Sequence, residues 1–167
     1  MKLKKRKTPF NREKQITIRG VKLDIGGLKG KNPGYKSVNI NNLGDINHDL
    51  NKFPYPFKDN SVDEIIMSHV LEHLDRPLRV MEEIWRICKP GAIVNISVPS
   101  KTDTRLVNPY HLHDFKPEWF KNLNPSSPAT PGIEVKVNFR LIKIRNKRGT
   151  RRFWKKYGFY AELEAVK

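Results

Sequence analysis

Residues 21–99 alternate short apolar runs with polar connectors broken by glycine and proline, and that rhythm points to a layered α/β sheet. Strands are expected at about 22–25, 37–40, 46–50 (a short one) and 64–68. The fourth is continuously apolar at its centre, as a strand covered on both faces would be. The connector 26–35 contains Gly26, Gly27, Gly30, Pro33 and Gly34, too many interruptions for a full helix, so the first helix of the fold should be reduced. Leu71, Leu74, Leu78, Met81, Ile84, Trp85 and Cys88 recur at helical spacing and make one apolar stripe. Asp75 and Pro77 suit the start of its main segment, and Lys89-Pro90-Gly91 is a stop signal. A fifth strand at 92–98 follows, and a right-handed crossover would set it beside strand four.

The last third predicts a short helix at 117–123, a Pro/Ser-rich loop at 125–131, and strands at 136–145 and 159–166 that close the sheet as an antiparallel hairpin. The expected fold class is therefore α/β: a compact, Rossmann-like, mostly parallel sheet with that hairpin at its C-terminal end. No internal repeat is visible. Residues 1–15 have almost no apolar periodicity and read as a basic flexible arm. Residues 16–167 read as a single domain, a size that can bury one sizeable core.

Charge is unevenly placed. The chain carries a formal net charge of +16, of which residues 1–15 contribute +6 and residues 141–157 contribute +8, leaving the middle almost neutral. Such fields attract polyanions, and nucleic acid is one candidate partner of these two segments, although a charge run alone specifies none. A solvated tail and a basic strand edge that resists aggregation account for the same charges without a partner. The single cysteine, Cys88, rules out an internal disulfide framework and suits a reducing cytosol. It falls in the helical rhythm and reads as a buried, inert thiol. No apolar run approaches the roughly 20 residues that span a bilayer, and the basic N-terminus lacks the apolar segment of a secretory signal. A cytoplasmic protein without a membrane partner is expected.

In doubly wound sheets, ligands bind outside the carboxyl ends of the strands, where strand order reverses. Here those ends present Asp24-Ile25-Gly26-Gly27, Asn39, Asp49, and Ser68-His69-Val70. A glycine loop lets a ligand approach the backbone, a polar group ending strand two can bind ribose hydroxyls, and a carboxylate after strand three can accept from an adenine amino group. Together they are anchors for one adenosine. His111-Leu112-His113-Asp114 offers two imidazoles at i, i+2 with one nearby acid, which is weak ligation spacing. No metal is expected there; the loop is read as bordering the substrate pocket or bonding backbone. Trp85 is expected in the core, and Trp119 and Trp154 nearer the surface, Trp154 within the basic RRFWKK run where it could stack on a base or equally cover the sheet edge.

The ordered blocks LDIGGL, PGYKSVNI, HDL, FPYPFKDNSVDEI, SHVLEHL, EIWRICKPGA and VNISVP resemble class I S-adenosylmethionine-dependent methyltransferases of the compact type-11-like group. The resemblance covers residues 21–99 almost without gaps, and the C-terminal AELEAVK more loosely. It implies S-adenosylmethionine as cofactor and methyl transfer to an unidentified acceptor, with nucleic acid one candidate. Asp24, Gly26 and Gly27 would line the methionine end, Asn39 would meet the ribose diol, Asp49 would lie near the adenine, and Ser68 and His69 would flank the cofactor and the substrate entrance. Leu71, Glu72 and His73 complete that last signature, while Asp63 shapes the approach to strand four.

Two positions depart from the family pattern. Leu28 stands where the second glycine of the GxG is usual, so the loop must bend differently or lean on Gly26 and Gly27. Asn39 replaces an acid and loses a charge-assisted hydrogen bond to the ribose. These departures motivate an alternative, a non-catalytic methyltransferase-like module that binds nucleic acid or a protein through its basic segments; a small-molecule or sugar acceptor is a further one. Catalysis by such an enzyme would be mostly proximity and orientation. His69, His111 and His113 are the candidates if a base is needed.

Overall fold

The computed structural model describes residues 20–99, 108–126, 135–148 and 157–167. The basic arm, Trp154 and the charged run 149–156 lie outside these residues. Within them the chain builds one seven-stranded sheet of order β3-β2-β1-β4-β5-β7-β6. Its strands are β1 (Val21–Ile25), β2 (Lys36–Asn39), β3 (Ile46–Asn47), β4 (Val62–Ser68), β5 (Cys88–Pro99), β6 (Phe139–Arg148) and β7 (Tyr157–Ala165). β1 through β5 pair in parallel; β7 runs antiparallel between β5 and β6. The expected mostly parallel sheet with a C-terminal hairpin is what forms. β3 is shorter than its apolar pattern suggested, because the chain turns away after Asn47.

The connector from β1 to β2 contains no helix, as its glycines and proline dictate. The only described crossover helix is α1 (Pro77–Ile87), between β4 and β5. It opens with Pro77, whose missing N–H costs nothing in the first turn. Val80, Met81, Ile84 and Ile87 are fully buried against the sheet, and their burial contributes roughly 6–12 kcal/mol before the entropy of ordering is subtracted. Its last carbonyls are satisfied from the loop before β4: Asn60 N–H donates to Arg86 O (3.1 Å) and Ser61 N–H to Ile87 O (2.8 Å). The backbone becomes extended directly at Cys88 (ψ 139°), so β5 starts four residues before the expected residue 92, and Gly91, at φ +78°, lies within it.

The sequence stripe overstates this helix at both ends. Leu71–His73 forms a separate 3-10 turn, and Leu78 is turned outward. Trp85 is only half-buried. Its indole N–H donates to Val166 O (3.0 Å) and Lys167 Nζ lies 3.7 Å from the ring centroid, so it fastens the C-terminal end to the helix.

The sheet has one apolar face. Leu23, Ile25, Ile65, Met67, Val94, Ile96, Ala161 and Leu163 are buried on the side that α1 covers. The opposite side carries Lys22, Glu64, Ile66, Asn95, Tyr160 and Glu162, all exposed or half-exposed. No described helix covers it, so the expectation that β4 is buried on both faces fails at Ile66 and Glu64. Polar pairs occupy this face instead. Glu64 joins Lys22 Nζ (2.6 Å) and accepts from Tyr35 Oη (2.6 Å), and Tyr160 Oη donates to Asn95 Oδ1 (2.5 Å). Burial and the Glu64 charge push the Tyr35 hydroxyl up to about 12.

A buried ionic clip fixes the segment between β3 and β4. Glu83 Oε2 accepts from Tyr55 N–H (2.8 Å), Arg86 Nε (3.1 Å) and Arg86 Nη2 (2.7 Å). Arg86 in turn donates to the carbonyls of Phe57 and Tyr55 and to Asp59. Burial alone would raise the Glu83 carboxyl, but the Arg86 and Tyr55 hydrogen bonds outweigh it and hold it below its usual value.

Candidate functional site

Strand order reverses between β1 and β4: β2 and β3 extend one way, β5 and the hairpin the other. The carboxyl ends of β1 and β4 therefore meet at the crevice where such sheets bind ligands. The contact is tight. A Cβ on Gly26 would lie 2.2 Å from Val70 Cγ2, and one on Gly27 would lie 2.0 Å from Asp24 Oδ2. Gly26 takes φ +75°, while Leu28 is absent from the left-handed residues and is half-exposed. The loop thus bends at Gly26, and Leu28 needs no unusual backbone.

Asp24 is buried beneath this loop and accepts from Asn32 Nδ2 (2.6 Å). Asn39, ending β2, donates from Nδ2 to Gly26 O (3.0 Å) and Gly27 O (3.1 Å), and its Oδ1 accepts from Ile40 N–H (2.8 Å). A carboxylate could make neither of the first two bonds. The amide therefore holds the glycine loop, a role that the sequence did not suggest. Oδ1 keeps one lone pair for an external donor. Asp49 accepts from Asn51 N–H (3.0 Å) and its other oxygen is 3.9 Å from Lys52 Nζ, leaving the carboxylate partly open. Asp45 ties the loop after β2 to the strand, accepting from the Ser37 N–H (3.0 Å) and hydroxyl (2.8 Å); these bonds hold its carboxyl below the usual value.

After β4, Ser68 and His69 are exposed, and His69 adopts φ +57° with its N–H donating to Ser97 O (2.9 Å). Left-handed backbone at a non-glycine residue is uncommon and recurs at binding sites. The 3-10 turn that follows buries Glu72 completely. The segment after residue 107 is pinned to it: Leu112 N–H (2.8 Å) and His113 N–H (3.3 Å) both donate to Glu72 O. His69, Glu72, His73, His111 and His113 are thereby gathered at one sheet edge, and His73 and His111 rings lie 4.7 Å apart. Burial and the neighbouring His73 push the His111 imidazole below its ordinary value.

Trp119 packs edge-on against Phe115 (4.9 Å) and Phe120 (5.2 Å) on α2 (Pro117–Lys121), so it belongs to an aromatic cluster. Cys88 is fully buried, and burial pushes its thiol up to about 12, an inert group as expected. An open depression of about 340 Å³ lies by Lys121, Phe139 and Arg140, on the antiparallel flank and away from the β1–β4 crevice.

Residues 23–96 match the family profile described as "Methyltransferase domain". Over this stretch the chain is similar to methyltransferase domains. An uncharacterized methyltransferase of Mycobacterium tuberculosis is 45% identical over 42 residues, which are 25% of this chain and 16% of that protein. The match thus spans about a sixth of the curated relative's length. Among solved structures, the YcgJ protein of Bacillus subtilis superposes with TM-score 0.62 at 11% identity, covering 89% of this chain and 93% of that one. A Thermotoga maritima S-adenosylmethionine-dependent methyltransferase gives TM-score 0.61 at 15% identity, covering 89% and 83%. The [4+2]-cyclase SpnF gives 0.60 at 11%, covering 91% and 77%. These likenesses concern the fold, which also serves a cyclase.

The methyltransferase family implies an S-adenosylmethionine-type cofactor. The residues present fit it: a glycine loop without side chains at the β1 end, a free lone pair on Asn39 and a part-open Asp49 carboxylate occupy successive strand ends. The polar group ending β2 is an amide that offers one neutral acceptor, where the family pattern has an acid. No helix among the described residues is long and apolar enough to cross a membrane.

Proposed function

We propose that the methyltransferase domain binds S-adenosylmethionine across the ends of β1, β2 and β4 and transfers its methyl group to an acceptor that enters beside His69. The observation that carries this reading is the pairing of a Gly26–Gly27 loop, each glycine sterically required, with polar groups at three neighbouring strand ends. Asp24 and the loop take the methionine end, Asn39 Oδ1 one ribose hydroxyl, and Asp49 the adenine side. The cofactor supplies an already activated methyl on its sulfonium, so the chain's task is orientation and exclusion of water. His69 is more than half exposed at the entrance (54%) and contacts the acceptor; His111 and His113 line the same edge.

The acceptor we favour is nucleic acid, held by the basic segments in the reducing cytosol. Arg145 is exposed on β6, an edge strand of the sheet, which supports this choice. Isothermal titration with S-adenosylmethionine should show one site, weakened by Asp49→Ala. No binding at millimolar ligand would overturn the proposal and favour a non-catalytic module, a reading motivated by Asn39 spending both amide hydrogens on the loop. Nucleic-acid affinity should fall steeply with salt; a flat dependence would exclude phosphate contacts and point to a small-molecule acceptor.

A further inference from the structure

Three of the chain's five histidines, His69, His73 and His111, stand around one carboxylate. Glu72 is wholly buried, yet neither of its oxygens accepts a hydrogen bond. His69 Nδ1 comes within 3.3 Å of Oε1, outside hydrogen-bonding geometry, from a ring that is 54% exposed. A buried carboxylate persists when a cation compensates it, because its desolvation is otherwise unpaid. The other groups here are lone-pair donors. Carboxylate and imidazole atoms of Glu72, His73 and His111 all lie within 4.8 Å of one another.

The ring states are set for ligation. His73 Nδ1 is 3.0 Å from Tyr110 O, a carbonyl, so that nitrogen carries the proton and Nε2 presents its lone pair. Metal-bound histidines are oriented by this kind of backbone bond. His111 Nδ1 is buried without a partner. The two halves of the cluster are also held in register by backbone: Leu112 and His113 N–H groups both close on Glu72 O.

We propose that Glu72, His73 and His111 bind a divalent transition-metal cation such as zinc. Two imidazoles and one carboxylate suit zinc, cobalt or iron, whereas magnesium prefers an all-oxygen shell. Zinc bonds of about 2.1 Å place tetrahedral ligand atoms roughly 3.4 Å apart, so modest side-chain rotation closes the present spacing. Three protein ligands leave a coordination position open, as in zinc sites that receive a water or a substrate oxygen. That position would face the His69 edge. The inference is independent of the methyl-transfer reading. It was not visible in the HLHD spacing because the ligands are one histidine of that pair together with Glu72 and His73, 39 and 38 residues earlier.

The test is metal binding by the untagged, chelator-treated full chain. Zinc is titrated calorimetrically and cobalt by visible d–d absorption, with magnesium in excess as competitor. One equivalent should bind, a tetrahedral-type cobalt spectrum should develop, and magnesium should not displace it. Glu72→Gln and His111→Asn should each weaken zinc by at least about 100-fold, beyond the 10–100-fold typical of outer-shell changes. His48→Asn, whose ring bonds Lys52 O, should leave binding unchanged. Because Glu72→Gln removes an unpaired charge while keeping the shape, its metal-free form should melt no lower than the parent, and zinc should raise the melting temperature of the parent alone. Failure of the parent to bind at millimolar cation, undiminished binding by both variants, or displacement by magnesium would each overturn the proposal.

Discussion

Aspartate at position 39 sets the family pattern against the structure. Family resemblance makes Asn39→Asp a restoration, returning the acid that binds a ribose diol. The structure makes it a disruption, since Nδ2 donates to Gly26 O and Gly27 O at 3.0 and 3.1 Å. A carboxylate cannot donate, so two bonds worth about 1 kcal/mol each are lost and two carbonyls are left facing a negative charge. At this half-buried position the sum is about 2–3 kcal/mol. For a chain of this size that lowers the melting temperature by roughly 4–12 °C. The sign of the pH dependence follows. Facing carbonyls raise the folded pKa of the new carboxyl above its unfolded value. The deficit is therefore full at neutral pH and shrinks as pH falls towards the ordinary carboxyl value near 4. Urea unfolding at several pH values, with and without S-adenosylmethionine, reads both effects. A variant as stable as the parent at pH 7 and binding cofactor more tightly would refute the loop-holding role of the amide.

Gly27→Ala would put a methyl 2.0 Å from Asp24 Oδ2 and force the buried carboxylate off Asn32. Overpacking plus a broken charged hydrogen bond should cost about 3–5 kcal/mol in denaturant unfolding; a loss under about 1 kcal/mol would mean the carboxylate moves freely. Glu83→Gln should cost about 3 kcal/mol at neutral pH by leaving buried Arg86 contacts uncompensated. Because the folded Glu83 carboxyl is depressed, its stabilisation is present above about 4.5 and is lost as pH falls through the folded value. The variant should therefore show a flatter acid limb of stability, and identical limbs for parent and variant would contradict the clip.

The strands, the stop after α1 and the glycine loop were legible because each depends on neighbours in sequence. The helix ends at Ile87, just before Lys89-Pro90-Gly91, and Gly26 rather than Leu28 takes the left-handed conformation. Local pattern failed where burial depends on what packs on a face. Ile66 fits an apolar run yet sits on a polar sheet face, and Trp85 fits the helical stripe yet serves the C-terminal end.

Sequence alone determined that this chain makes a methyltransferase-type sheet and which strand ends carry polar groups, since alternation and glycine placement are written residue by residue. Only the tertiary structure decided what those groups do. Asn39 turns its amide onto the glycine loop, and residues 108–113 fold back onto Glu72, bringing His111 to Glu72 and His73, 39 and 38 residues earlier. Such contacts come from the order in which strands pair, and no local spacing encodes them.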